Sequence, residues 1–140
     1  MSLLHGFLLD TNAISETQKP RPDPKAISVL DSLAGARLYL SVLTLGELRR
    51  GGIIKRRRHP DAIDRYSSWI DTLEHTYADR ILPIDTTTAK LWGELSADRT
   101  RAAVDTLLAA TAIVHNLTLV TRNTRDVHDL PVRLLNPWQA

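Results

Sequence analysis

Short apolar runs and amphipathic stretches alternate along the chain. The first run covers residues 3–9, is interrupted only by His5 and Gly6, and ends abruptly in a carboxylate at Asp10. Its length and apolar content predict a strand that is buried on both faces, as in a parallel sheet. Comparable runs predict four more strands, at residues 37–42, 81–84, 117–120 and 132–135.

Helical patterns fill the segments between these strands. Apolar spacing and turn residues predict helices at about residues 13–16, 24–34, 62–77, 85–98 and 102–115, and one more after the second strand. Asp23 followed by Pro24 is typical of a helix start, and Ser41 or Thr44 is suited to cap the helix after the second strand. This alternation predicts an α/β domain with three layers, α/β/α, around a mostly parallel sheet.

The length and composition fit a single domain over residues 1–140. The chain is 43% hydrophobic and 24% charged, which is typical of a globular protein. It has no cysteine, which excludes disulfides and thiolate metal sites. It shows neither a signal-peptide pattern nor an apolar stretch of membrane-spanning length, so we expect a cytoplasmic protein.

Basic residues are concentrated in two places, although the formal net charge is only +2. One group of six lies within ten residues that contain no acid, and a smaller group follows later: Arg49, Arg50, Lys55, Arg56, Arg57 and Arg58, then Arg99, Arg101, Arg122 and Arg125. Such clusters attract phosphate backbones, which makes these arginines candidate contacts to nucleic acid. A solvated helix face is the alternative interpretation.

Polar side chains follow two of the predicted strands. Asp10 ends the first strand, Asn123 and Asp126 follow the fourth, and Asp105 begins the apolar helix that leads into the fourth. Ligands of open α/β sheets bind beyond the carboxyl ends of the strands, so we expect these side chains to converge there. A fifth polar residue, Glu47, belongs to the helix after the second strand.

Each of these residues also has an ordinary structural interpretation. Asp105 is suited to cap a helix that starts at Thr106, and asparagine and aspartate are expected in turns. Glu47 is suited to pair with nearby arginines on the surface. Gly46 beside it costs roughly 1 kcal/mol inside a helix, so we expect its backbone to pass close to a neighbour.

The chemistry of such a cluster is that of a divalent ion. Clustered carboxylates repel each other unless a cation neutralises them. Oxygen ligands without a thiolate favour Mg²⁺, or Mn²⁺, over zinc. An ion held this way activates water and orients a phosphate, which suits hydrolysis of a phosphodiester whose backbone the arginines hold.

The same stretches resemble the PIN-domain ribonucleases, and among them the VapC toxins of bacterial type II toxin–antitoxin pairs, in their FitB-like subgroup. The similarity lies in residues 8–15, 44–51, 104–112, 119–123 and 136–138, in that order, and covers essentially the whole chain. It implies strand order 3-2-1-4-5 and Mg²⁺-dependent endoribonuclease activity on RNA. It also implies a homodimer and a VapB-like antitoxin that blocks the site and provides the only link to operator DNA.

The resemblance also implies a role for each residue. Asp10 and Asp105 match the principal metal-binding aspartates, and Glu47 matches the second acidic residue. The fourth acidic position falls on Asn123, an amide, and Asp126 is able to supply the missing charge. Supporting hydrogen bonds are expected from Thr11, Asn12, Ser15 and Thr121. Contacts to RNA are expected from Arg49, Arg50, Arg56, Arg57, Arg58 and Arg122.

Three other classes of protein fit parts of the pattern. A receiver domain needs paired acids after its first strand and a lysine after its last, but Thr11 follows Asp10 and no lysine follows Lys90. A haloacid-dehalogenase-like phosphatase needs Asp-x-Asp, but position 12 is asparagine. A non-catalytic PIN-like scaffold or nucleic-acid-binding module stays open, because Asn123 weakens the acidic set.

Overall fold

A computed structural model describes residues 5–61 and 65–139. Residues 3–4 of the first predicted strand, and the start of the predicted 62–77 helix with Ile63, lie outside the described residues. The strands are β1 (Gly6–Leu9), β2 (Arg37–Ser41), β3 (Ile81–Leu82), β4 (Leu117–Val120) and β5 (Arg133–Leu135). The α-helices are α1 (Thr11–Glu16), α2 (Pro24–Ser32), α3 (Val42–Arg58), α4 (Arg65–Thr76), α5 (Thr86–Leu95) and α6 (Ala103–Val114).

The five strands form one parallel sheet in the order β3-β2-β1-β4-β5. This confirms both the predicted fold class and the strand order that the resemblance implied. In the central pair, Leu9 of β1 lies opposite Val120 of β4, so the residues that follow them leave the sheet side by side. The amide of Asp10 donates to the carbonyl of Val120 at 3.0 Å, and that of Thr121 donates to Leu135 at 3.0 Å.

Two apolar layers cover the sheet because the strand residues alternate between its faces. Phe7 and Leu9 of β1 pack on one side with residues of α1, α3 and α4. Leu8 packs on the other side with residues of α6 and with Val127, in the loop after β4. The result is the predicted three-layer α/β/α arrangement, with the carboxyl ends of β1 and β4 at the centre of one edge.

Several element boundaries differ from the prediction. The Asp23 carboxylate accepts from the amides of Lys25 and Ala26 and caps α2, as predicted, whereas Ser41 rather than Thr44 caps α3. Strand β3 has two residues instead of four, because only Ile81 and Leu82 pair with β2. Helix α5 ends at Leu95, three residues before the predicted end.

Within the described ranges, no helix combines the length and the apolar character that crossing a membrane requires.

Candidate active site

Asp10 is buried at the carboxyl end of β1, with only 3% of its surface exposed. Its backbone leaves the sheet in an extended conformation and caps α1, because the Oδ1 atom accepts from the amide of Ala13 at 2.8 Å. The Oδ2 atom accepts from the hydroxyl of Thr121 at 2.6 Å. Both carboxylate oxygens are therefore fixed, one by the following helix and one by the neighbouring strand.

The pKa of Asp10 is raised from 3.8 to about 6. Burial is the main cause, and the hydrogen bonds from Thr121 and Ala13 oppose it only in part. The negative charges of Asp105 and Glu47 raise the pKa further. Asp105 and Glu47, which are far from Asp10 in the chain, therefore lie close enough to influence its charge.

Glu47 faces this pocket from the second turn of α3. Its Oε1 atom accepts from the hydroxyl of Thr11 at 2.5 Å, and that hydroxyl also lies 3.3 Å from the buried hydroxyl of Thr44. Glu47 is exposed, as the surface interpretation had it, but among the described residues it bonds to Thr11 and forms no ion pair with an arginine. The close approach expected at Gly46 was wrong, since a Cβ atom there would have no neighbour within 4 Å.

Asp105 occupies the first turn of α6 and is half-buried. Ala102 takes the N-cap position, so Asp105 does not cap the helix and the capping interpretation was wrong. Burial raises the pKa of Asp105, and the charges of Asp126 and Glu47 raise it further, whereas a hydrogen bond with Asn123 lowers it. The Asp105 carboxyl therefore has both residues that were candidates for the fourth acidic position as neighbours.

The loop after β4 contains a 3₁₀ turn, Thr124–Asp126. Asn123 immediately precedes this turn, and Asp126 is its last residue. The backbone N–H of Asn123 donates to the Thr121 hydroxyl at 3.0 Å, and this hydroxyl in turn donates to the carboxylate of Asp10. Thr121 thus connects the turn to the buried aspartate. Of the four predicted supporting residues, Thr11 and Thr121 bond to pocket carboxylates, and in the described part of the chain the side chains of Asn12 and Ser15 do not.

The pocket has the donor chemistry of a divalent cation site. Carboxylates are prominent there, since the charges of Asp105 and Glu47 act on Asp10, and those of Asp126 and Glu47 act on Asp105. Among residues 5–61 and 65–139, no three acidic or histidine side chains converge closely enough to form a preassembled ligand set. Hydroxyl and backbone amide donors hold two of the acids: Thr121 and Ala13 bond to Asp10, and Thr11 bonds to Glu47.

The predicted RNA-binding arginines fall into three groups. Arg49 bridges α3 to α4, with Nη2 at 2.7 Å from Asp71 and 2.6 Å from Glu74, so it is committed to an internal contact. Arg50, Arg57 and Arg58 are exposed on α3, and Arg56 and Arg58 line a cavity of about 710 Å³ at its end. Arg122 lies over the ring of Trp138, 5.0 Å from its centroid, next to Thr121 and Asn123.

In the second predicted basic group, Arg122 and Arg125 are exposed, whereas Arg99 and Arg101 are engaged with an acid. Arg101 and Arg99 both pair with Asp129, at 2.9 and 3.2 Å. Trp138 and Thr44, which contact Arg122 and Thr11, were not predicted from the sequence as residues of the site. A tryptophan two residues before the end and a threonine inside a helix carry no local pattern that marks them as neighbours of the site.

The comparisons with known proteins agree with this geometry. A model of the PIN domain matches residues 7–131. Toxin FitB of Neisseria gonorrhoeae is 36% identical over 139 residues, which cover 94% of this chain and 98% of that protein. VapC ribonuclease Y4jK of Sinorhizobium fredii is 32% identical over 142 residues, which cover 95% of this chain and 98% of that protein.

Solved structures show the same fold. The crystal structure of FitAcB from Neisseria gonorrhoeae superposes with a TM-score of 0.79 at 34% identity, covering 96% of this chain and 99% of that one. Other structures with this fold are toxin–antitoxin complexes, some of which are bound to DNA.

Proposed function

The chain belongs to the PIN domain family, and we propose that it is the toxin of a type II toxin–antitoxin pair, an endoribonuclease that hydrolyses RNA phosphodiester bonds. The observation that supports this proposal is the position of Asp10 at the carboxyl edge of the sheet, where Thr121 fixes its carboxylate and the next residue, Thr11, bonds to Glu47. Relatives that match nearly the whole chain are named as a toxin and as a VapC ribonuclease.

PIN-domain ribonucleases generally depend on a divalent metal. We propose Mg²⁺ for this chain, with Mn²⁺ as a substitute, held by Asp10, Glu47 and Asp105. When bound, the ion would supply an activated water and stabilise charge on the phosphate oxygens. The protein contributes the orientation of the ligands, because Thr121 and the amide of Ala13 fix Asp10 while Thr11 fixes Glu47.

We propose that Asn123 and Asp126 complete the site together. Asp126 supplies the negative charge that Asn123 lacks, and the side chain of Asn123 favours the charged form of Asp105 by lowering its pKa. The two residues therefore share a role that the resemblance assigns to one acidic position.

The same proposal names the partners and the compartment. The substrate is RNA, and a VapB-like antitoxin blocks the site in the resting complex. The toxin forms a homodimer and reaches operator DNA only through the antitoxin. The activity belongs in the cytoplasm, where both RNA and a cysteine-free chain are expected.

Metal removal gives the direct test. The purified protein is incubated with RNA and with DNA of the same sequence, in buffer with Mg²⁺, with EDTA, and with EDTA followed by excess Mg²⁺. We expect cleavage of RNA only, loss of cleavage in EDTA, and recovery after Mg²⁺ is restored. Cleavage that continues in EDTA would contradict a metal-held site.

The alternative is a non-catalytic scaffold or nucleic-acid-binding module, which the amide at Asn123 favours. It predicts that the protein binds RNA without cleaving it, and that Asp10→Asn changes nothing. The raised pKa of Asp10 favours the catalytic proposal, because a scaffold has no use for a buried carboxylate surrounded by other acids.

The arginines at the end of α3 provide a further prediction. Changing Arg56, Arg57 and Arg58 to glutamine should weaken RNA binding and reduce the slope of log K against log salt by about 2, if all three neutralise phosphates of a single strand. A matched variant changes the exposed residues Arg21, Lys25 and Arg37, which lie outside α3. Equal slopes for the two variants would show that the run on α3 does not contact RNA.

A further inference from the structure

Two segments of the chain bring Asp105 and Asp126 together. Asp105 lies in the first turn of α6, four residues after Arg101, and Asp126 ends the 3₁₀ turn, three residues before Asp129. The two carboxyl groups are neighbours, and the charge of Asp126 raises the pKa of Asp105. The negative charges of Asp105 and Asp126 repel each other, so a contact between the start of α6 and the loop after β4 is needed to oppose this repulsion.

Arg101 supplies that contact. Its Nη1 atom donates to Oδ1 of Asp129 at 3.0 Å and its Nη2 atom donates to Oδ2 at 2.9 Å. Two parallel bonds between a guanidinium and a carboxylate fix both distance and orientation. The side chain of Arg101 is only 3% exposed, and its Nε atom donates to the carbonyl of Leu95 at 3.0 Å.

Other contacts anchor the same loop without replacing this one. Val127 and Leu130 are buried against α6 and the sheet, which holds the loop on the core. Apolar packing is not directional, so it leaves the position of the turn along α6 adjustable. The ion pair sets that position, and hydrogen bonds from Arg101 keep the pKa of Asp129 well below its usual range.

We propose that Arg101 and Asp129 form a positioning clamp, which holds Asp105 beside Asp126 and Asn123 and so sets the geometry of the carboxylates for the ion. The inference rests on the proposed function, because it concerns the same site. Neither residue touches the reacting atoms. The clamp acts through Asp105 and Asp126.

The chain contains a matched control. Asp98 also binds Arg101, with its Oδ2 atom 2.9 Å from Nη2, but it lies three residues away on the same segment. Replacing Asp98 removes an ion pair from Arg101 without separating the two segments. Replacing Asp129 removes its ion pairs with both Arg101 and Arg99, and so cuts the link between that segment and the turn.

The experiment compares Asp129→Ala and Asp98→Ala with the parent protein. Mn²⁺ binding is measured by calorimetry without RNA, and RNA cleavage is measured over a range of RNA concentrations. For Asp129→Ala we expect the Kd for Mn²⁺ to rise about tenfold and kcat to fall about tenfold at fixed metal. The KM for RNA should stay within about twofold, because the clamp does not contact the substrate, and Asp98→Ala should stay within about twofold of the parent in every measurement.

The outcomes separate the clamp from a general loss of stability. Equal weakening of Mn²⁺ binding in both alanine variants, or parental binding in Asp129→Ala, would overturn the clamp. If Asp129→Ala does not fold, Asp129→Asn is measured by the same criteria, since it keeps the size of the side chain and one acceptor for Arg101. A parent protein that binds no ion and cleaves no RNA would overturn the proposed function itself.

Discussion

Asp10→Asn should abolish RNA cleavage, with a loss of at least about a thousandfold in rate, because the change removes a negative charge at the point where we propose that the ion binds. The fold should survive. Asparagine is as good an N-cap as aspartate, so it can still accept the amide of Ala13 at the start of α1. Its amide can bond to the Thr121 hydroxyl, which is free to rotate.

The same loss is expected for Asp105→Asn, since we propose Asp105 as the other principal metal ligand. The control is Asp31→Asn, the same chemical change at an exposed residue of α2. Initial rates on one RNA and growth inhibition in cells are measured for all four proteins, and far-ultraviolet circular dichroism checks the fold. Parental activity in either pocket variant would refute the site.

The parts of the site that follow strand ends could be predicted from the sequence. A mostly apolar run that stops at a polar residue marks the exit from a buried strand, and this pattern indicated Asp10 after the first run and Asn123 shortly after the fourth. Parallel pairing then brings the two exits together, because Leu9 and Val120 are in register. Local pattern and topology agree on where these residues leave the sheet, whereas their role in a site stays a prediction.

The charged contacts could not be predicted in the same way. Arg49 looked like a residue for RNA, yet it bonds to Asp71 and Glu74, which lie on another helix more than twenty residues away. Arg101 finds Asp129 across 28 residues. A run of basic residues shows where positive charge lies in the sequence. Whether each residue contacts a ligand or an acid of the same chain depends on which acids the fold places next to it.

Asp105 shows the intermediate case. The sequence placed it correctly at the start of an apolar helix but left open whether it capped that helix. The cap depends on where the backbone changes from extended to helical, and this happens at Ala102. The helix therefore begins early enough for Asp105 to lie on its first turn, with its carboxyl available to the pocket.

The second large effect expected of Asp10→Asn is on stability. Asp10 has its pKa raised from 3.8 to about 6 in the folded protein. A raised pKa means that the folded state holds the proton more tightly than the unfolded state does. Stability contributed by this group is therefore present below pH 3.8, and it is lost as the pH rises to about 6. At pH 7 without a divalent ion, the buried charge destabilises the parent by about 3 kcal/mol at most.

Asparagine carries no charge at any of these pH values, so Asp10→Asn should be more stable than the parent at pH 7 in EDTA. Urea unfolding at pH 4, 5, 6 and 7 should show the difference growing with pH, whereas Asp31→Asn should follow the parent. Mg²⁺ should reduce the difference in free energy of unfolding between Asp10→Asn and the parent. An ion that binds only the folded parent stabilises the parent and cannot act on the variant. A variant less stable than the parent at pH 7 in EDTA would show that Asp10 serves the fold. If Asp10→Asn is more stable than the parent at pH 7 in EDTA, the Asp10 carboxylate lowers the stability of the parent. This is expected of a group that is retained to bind a cation.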